Sequence, residues 1–268
     1  KNPQKEFILR LYPTGAWKAE KEKFVYGLIS ANTGVPLPKI YLHDNSKNII
    51  ETPCMLLSYI VGTELDNAYR KSRNLGLITN AGKYLAQIHS INLPAFGWIL
   101  ANGIAPSFGR WTDFLQYDLN EKLRLLEKAN DFPKEIILQS RKYFSKRKNI
   151  LETKEKPCLL HKDYHFAHIL ADEKKINGII DVEWAIAGCP ELDIAKSCMW
   201  MFEDMPELEK PFLKGYQSQK KLSKSFYTRK PIYEFLILVS AVSLSYEYNN
   251  MKWLDKNLAK LKLILDLR

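Results

Sequence analysis

The chain has 268 residues, 46% hydrophobic and 12% aromatic, enough to bury a large core, and it contains neither a low-complexity tract nor an internal repeat. Its formal charge of +10 is spread over lysine-rich stretches such as Lys142, Lys146 and Lys148 with no basic-aromatic recognition motif, which describes a solvated surface and argues against a nucleic-acid partner. The longest apolar stretch, residues 235–246, carries three serines and is about half the roughly 20 residues that span a bilayer, so no membrane helix is expected; four scattered cysteines without a Cys-x-x-Cys pair, and no visible signal peptide, suit a reducing cytoplasm.

In chain order, the apolar run from Phe7 to Tyr12 predicts a short strand, and residues 17–31 a helix that the prolines of Val35-Pro36-Leu37-Pro38 close off. Two strands and this helix are expected within 5–45, and a third strand at 53–60. Helical periodicity dominates afterwards. Tyr84, Leu85, Ile88 and Ile91 form one stripe ending at His89, before Pro94; Phe114, Leu115, Leu119, Leu123 and Leu126 mark a helix over about 110–128; Ile136, Ile137, Tyr143 and Phe144 mark a third. Beyond residue 190, helices are expected near 191–203, 207–220, 228–249 and 251–267.

Between these helical stretches lies the most informative segment. Leu159-Leu160 leads into His161-Lys162-Asp163; Ile169-Leu170 follows; Asn177-Gly178 reads as a tight turn into Ile179-Ile180-Asp181. Such a strand, turn and strand would return Asp181 to the loop that holds Asp163 and His168. Phosphoryl transfer asks for this set: one carboxylate to meet an acceptor hydroxyl and two ligands to hold a divalent cation against nucleotide phosphates. His161, His165 and His168 also raise zinc, but their spacing converges only on a continuous helix, and strand-like segments flank them. His161 reads as structural, packed beneath the loop. Asp193 reads as an N-terminal cap of the helix that begins nearby.

The pattern His161-x-Asp163-x-x-x-x-His168, then Ile180-Asp181 and Gly188-x-Pro190-x-x-Asp193, resembles the aminoglycoside phosphotransferase family of small-molecule kinases, related to choline kinases and distantly to protein kinases. Lys162 stands where the family usually has Gly, His168 where it has Asn, and Val182-Glu183-Trp184 where it has Trp-Glu. His in place of Asn also occurs in 2″-aminoglycoside and macrolide kinases of the family. The resemblance implies an α+β, protein-kinase-like fold of two lobes. Residues 1–60 would be the small β-rich nucleotide lobe, 58–62 its hinge, and 63–268 a large helical lobe with the catalytic loop at 161–168. Family members begin with two strands and a phosphate lid upstream of this start, so the small lobe is expected to be truncated.

The same resemblance assigns roles. Asp163 would orient the hydroxyl and take its proton, and His168 and Asp181 would hold Mg2+, with Mn2+ tolerated because imidazole is a softer ligand. Arg10 would meet the α- and β-phosphates of ATP or GTP, fixed by Glu22 or, as second choice, Glu20. In Pro53-Cys54-Met55-Leu56-Leu57-Ser58-Tyr59-Ile60, the Ser58 carbonyl and Ile60 amide would pair with the base. The acceptor would be a small hydroxyl-bearing molecule such as an aminoglycoside, whose ammonium groups the acidic run Glu203, Asp204, Glu207 and Glu209 could meet; that run reads equally as an exposed helix terminus. The alternative is a degenerate, non-catalytic kinase-like binder. No Asp-Phe-Gly or Ala-Pro-Glu pair is present to bracket a protein-kinase activation loop.

Overall fold

The computed structural model describes residues 6–48, 50–129 and 131–267. Near the amino terminus, β1 (Phe7–Leu11), α1 (Ala16–Asn32), β2 (Ile40–Asp44) and β3 (Cys54–Ser58) build a three-stranded antiparallel sheet in the order β1-β3-β2. The central strand β3 buries Cys54, Met55 and Leu57, whereas the edge strand β1 keeps Phe7, Ile8, Leu9 and Leu11 exposed. Arg10 lies opposite Met55 in the β1–β3 register. Helix α1 ends on Thr33, whose hydroxyl and amide both donate to the Ile29 carbonyl, one turn before Pro36 could interrupt the helix.

The chain continues through β4 (Thr63–Glu64), α2 (Leu65–Ser72), α3 (Leu75–Ile88), β5 (Phe96–Leu100), β6 (Gly103–Phe108), α4 (Trp111–Glu127) and α5 (Lys134–Arg147). Helix α3 is capped by Asn74, whose side chain accepts from the Gly76 amide at 2.9 Å, and it stops before Ile91, which lies in the following loop. The β5–β6 hairpin was not expected from sequence. Its short apolar run, Phe96 to Leu100, is too brief for periodicity to distinguish strand from helix, and pairing with a distant strand decides the outcome.

Next come β7 (Cys158–Leu160), β8 (Ile169–Ala171), β9 (Ile176–Ile179) and β10 (Ile186–Gly188), followed by α6 (Pro190–Met201), α7 (Glu209–Gln217), α8 (Phe226–Glu247) and α9 (Met251–Ile264). They complete two small sheets, ordered β6-β5-β10-β7 and β4-β8-β9. The β8–β9 pair is the expected hairpin, but its turn is not at Asn177-Gly178. Asp172 makes the turn: its Oδ1 accepts from the Lys174 and Lys175 amides at 2.7 and 2.9 Å. Asn177 and Gly178 lie inside β9. Gly178 serves close approach instead, since a Cβ there would sit 2.2 Å from the Ile60 side chain, and Gly62 faces the Ala171 backbone in the same way. These two glycines seat the 58–62 segment on the hairpin that carries Asp181.

Contacts divide the chain into two compact units, residues 1–106 with 156–222 and residues 107–155 with 223–268. In the first, α3 crosses α7 at backbone contact: a Cβ on Gly82 would lie 2.0 Å from the Phe212 carbonyl oxygen, and one on Gly215 1.9 Å from that of Thr79. The second is helical. Helices α4 and α8 join through apolar side chains and a Trp111 Nε1–H to Tyr233 Oη bond of 3.1 Å. No helix among the described residues is long and apolar enough to cross a membrane, and the four cysteines are buried free thiols.

Candidate active site

Strand β7 is wholly buried and delivers the chain into the loop 161–168. Inside that loop, His161 Nδ1 accepts from the Asp163 amide at 3.3 Å, so its Nε2–H donates to the Ile180 carbonyl at 3.1 Å. Both ring nitrogens are therefore committed, which removes His161 from any metal set and ties the loop to the strand end before Asp181. Burial, reinforced by His168 and opposed by Asp193, pushes this imidazole down to about 4. Between the unfolded value of 6.5 and 4, the unfolded chain binds a proton that the folded chain refuses. Stability contributed by neutral His161 is thus full above pH 6.5 and lost as pH falls through about 4, worth about 3 kcal/mol. Urea midpoints at pH 7 and 4 in wild type and His161→Gln should show the acid loss shrinking in the variant.

Lys162 adopts φ = 63°, the left-handed region. A side chain there costs roughly 1–2 kcal/mol, and the position is the one where the resembling family usually carries Gly. Two hydrogen bonds hold the loop in this shape. Asp193, on the first turn of α6, accepts from the His161 amide at 2.7 Å and from the Lys162 amide at 2.8 Å. Its own helix starts after Cys189, so Asp193 is a brace and not the cap. Behind it, His89 Nε2 lies 3.2 Å from the same carboxylate, and His89 Nδ1 lies 3.0 Å from Tyr216 Oη. Asp193 and His89 are both buried.

Asp163 meets Lys196, a residue that sequence reasoning did not single out. Lys196 Nζ donates to Asp163 Oδ1 at 2.7 Å and to the Lys162 carbonyl at 2.6 Å. A spacing of three from Asp193 puts both on one face of α6, which was the available signal. Burial alone would raise the Asp163 carboxyl, but His165 and Lys196 outweigh it and hold the group well below the usual carboxylate range. His165 Nε2 is 3.7 Å and His168 Nδ1 3.3 Å from Asp163 Oδ2.

Asp181 sits two residues past β9 at φ = 63°, its amide donating to Tyr26 Oη at 3.1 Å. Its Oδ1 accepts from Arg10 Nη2 at 3.0 Å, and its Oδ2 lies 3.4 Å from His168 Nε2. His168 Nδ1 is 2.9 Å from the Asp163 carbonyl. With a proton on Nδ1 for that bond, Nε2 turns its lone pair toward Asp181, and the two donors face each other at a separation that a cation between them would satisfy. Among the described residues, Asp163, His165 and His168 can also each offer a ligand atom within 4.8 Å of the others.

Arg10 is the hub of the second half of the site. It contacts Glu22 at 3.1 Å, Asp181 at 3.0 Å and Glu183 at 3.2 Å. Burial pushes Glu22 up to about 7, against the pull of Arg10 and of the Tyr12 hydroxyl that donates to it. Glu20 points elsewhere, to Asn45 and to His43. Ser58 ends β3, where its hydroxyl accepts from the Lys39 amide at 2.9 Å, and Ile60 lies two residues beyond the strand. Glu203, Asp204 and Glu207 are exposed between α6 and α7, and Glu209 opens α7 half-buried. Asp163, His168, Asp181, Arg10 and Glu22 thus form one connected cluster, to which the structure adds Lys196, Glu183, Tyr12 and Tyr26.

A family model described as "Phosphotransferase enzyme family" matches residues 1–227. No curated protein matches the chain. Among solved structures, the chain is similar to a thermostable mutant of aminoglycoside phosphotransferase APH(4)-Ia in ternary complex with AMP-PNP and hygromycin B, with a TM-score of 0.77, 16% identity, and coverage of 98% of this chain and 86% of that one. It is also similar to APH(2'')-IIa in complex with gentamicin (TM-score 0.69, 17% identity, coverage 95% and 84%). ADP-bound aminoglycoside phosphotransferase APH(2'')-Ib resembles it at TM-score 0.69 and 16% identity, with coverage of 98% and 88%. At these identities the likeness is one of fold.

Proposed function

The chain belongs to the phosphotransferase enzyme family, has the α+β kinase-like fold and is a small-molecule kinase; from that premise we propose that it moves the γ-phosphoryl of ATP or GTP to a hydroxyl of a small molecule. One observation carries the reading: the loop carboxylate Asp163, the facing pair His168 and Asp181, and the Arg10–Glu22 ion pair are joined by direct contacts although they come from four separated segments.

In this reading, Asp163 accepts a hydrogen bond from the acceptor hydroxyl and holds the oxygen in line with the γ-phosphorus. Its low proton affinity suits a loose transition state, in which the hydroxyl proton leaves late. Lys196 keeps the carboxylate aimed and ionised. Magnesium, or manganese, held by His168 Nε2 and Asp181 Oδ2 would supply charge neutralisation on the phosphates. Arg10, steadied by Glu22 and Tyr12, meets the α- and β-phosphates. The Ile60 amide, which has no hydrogen-bond partner among the described residues, and the Ser58 carbonyl pair with the base. That relatives of the same fold were crystallised with AMP-PNP or ADP supports nucleotide use, and their complexes with hygromycin B and gentamicin make aminoglycosides one acceptor class to test. An ionised Asp163 beside an intact Asp181 favours a working kinase over a degenerate binder.

Thermal melting with magnesium and ATP or GTP tests this. At about 100 times its dissociation constant, a nucleotide stabilises the fold by about 2.7 kcal/mol. Asp181→Ala should abolish the metal-dependent shift. A shift that survives in Asp181→Ala, or no shift with either nucleotide, would remove the site from this role.

A further inference from the structure

Beside the Arg10 cluster is a cavity of about 260 Å³ that no part of the nucleotide reading uses. Its walls come from the start of α1, the β5–β6 hairpin and the segment just after Asp181, and three tryptophans, Trp17, Trp98 and Trp184, dominate them. The polar groups are Lys18, Lys21 and Glu183. Lys18 answers Glu183 at 4.0 Å, so their charges offset each other.

Lys21 is different. It is 3% exposed, it lines the cavity, and among the described residues it has neither an ion pair nor a hydrogen bond; its ammonium lies 5.8 Å from the centre of the Trp98 ring. A buried ammonium without a carboxylate is costly unless something else meets its charge. Nearby cations make this worse. Lys162 Nζ lies 4.1 Å from the centre of the same Trp98 ring. Burial, then Lys162 and Lys18, push Lys21 down to about 7, opposed by Glu183 and Glu22.

An apolar aromatic box whose one uncompensated group is a buried cation is complementary to a compact apolar molecule with one anionic group. A polycationic ligand would meet Lys18, Lys21 and Lys162 as like charges. The cavity also borders the chemistry: Glu183 shares Arg10 with Asp181, and Lys162 is the neighbour of Asp163.

We propose that this cavity holds the body of the phosphoryl acceptor, and that the acceptor class is a hydroxyl-bearing aromatic or aliphatic carboxylate with Lys21 as its charge partner. The assignment rests on the kinase reading above. In the transfer, the acceptor hydroxyl oxygen forms the new bond to the γ-phosphorus, the bond from that phosphorus to the β,γ-bridging oxygen breaks, the nucleoside diphosphate leaves, and the hydroxyl proton passes to Asp163.

The tryptophans provide the readout. Fluorescence titration of the full chain would use 4-(hydroxymethyl)benzoate, 3-(hydroxymethyl)benzoate and 6-hydroxyhexanoate, with benzyl alcohol and benzylamine as the uncharged and cationic controls. At least one carboxylate should bind saturably, at least tenfold tighter than either control, and at least tenfold weaker in Lys21→Met. Trp17→Ala, at a 54% exposed position that the fold does not need, should weaken binding as well. No saturable binding by any of the carboxylates, equal binding in Lys21→Met, or preference for benzylamine would overturn the proposal. Nucleotide binding is read separately by thermal shift. Carboxylate binding without a nucleotide shift would sink the kinase reading and with it the acceptor role, while the anion site stands. If both ligands bind and no phosphate is transferred to the hydroxyl, the cavity is not the acceptor site.

Discussion

Asp163→Asn is expected to lower kcat for phosphoryl transfer by about 10³-fold while leaving nucleotide affinity within about twofold, since positioned proton transfer contributes about 10²–10⁴. The amide keeps the size of the carboxylate and can still accept one hydrogen bond, so the loop retains its shape. What disappears is the negative charge that Lys196 holds at 2.7 Å and the ability to take a proton. Nucleotide contacts in the proposed site run through Arg10, His168, Asp181 and the 58–60 backbone, and the shortest contact of His168 is to the Asp163 backbone carbonyl, at 2.9 Å, which the substitution keeps. Steady-state assays of nucleoside diphosphate release, with whichever hydroxyl acceptor supports wild-type turnover, would measure the loss. Turnover within threefold of wild type would reject Asp163 as the base.

Asp193→Ala is expected to destabilise the protein by about 3–5 kcal/mol, the range for removing one partner of a buried charged network. The carboxylate is 2% exposed and accepts from two loop amides while facing His89. Alanine removes the acceptor of those two amides and the carboxylate that faces the buried imidazole, and the left-handed Lys162 loses a bond that offsets its strain. Asp193→Asn keeps one acceptor oxygen and should recover part of the loss. Denaturant midpoints for the three proteins would measure this, and a loss below about 1 kcal/mol in the alanine variant would mean that Asp193 does not hold the loop, because a single neutral hydrogen bond is worth about that much.

Where apolar spacing was long and regular, the sequence alone located the elements. Helix α1, expected over 17–31, spans Ala16–Asn32, and α4, expected over about 110–128, spans Trp111–Glu127. That Asp163, His168 and Asp181 come together was legible because a spacing along the chain survives without coordinates; the roles given to them and to Arg10 are part of the proposal. The His-x-Asp pattern also pointed to the family.

Features that depend on who packs against whom were not legible. Asn177-Gly178 has turn composition, yet Gly178 is small because Ile60, more than a hundred residues earlier, lies against it. Phe96 to Leu100 is a strand because β10 pairs with it, and five apolar residues have no period of their own long enough to say so. Lys196 and Lys21 are two lysines among many in the sequence. Tertiary structure separates them, because burial and the neighbouring group decide what a charge does: Lys196 is laid against Asp163, and Lys21 is enclosed beside tryptophan with no ion pair among the described residues. The sequence determined which chemical groups are available and in what order, while the fold alone determined which charges are paired, since pairing between distant segments is a property of packing that no local pattern encodes.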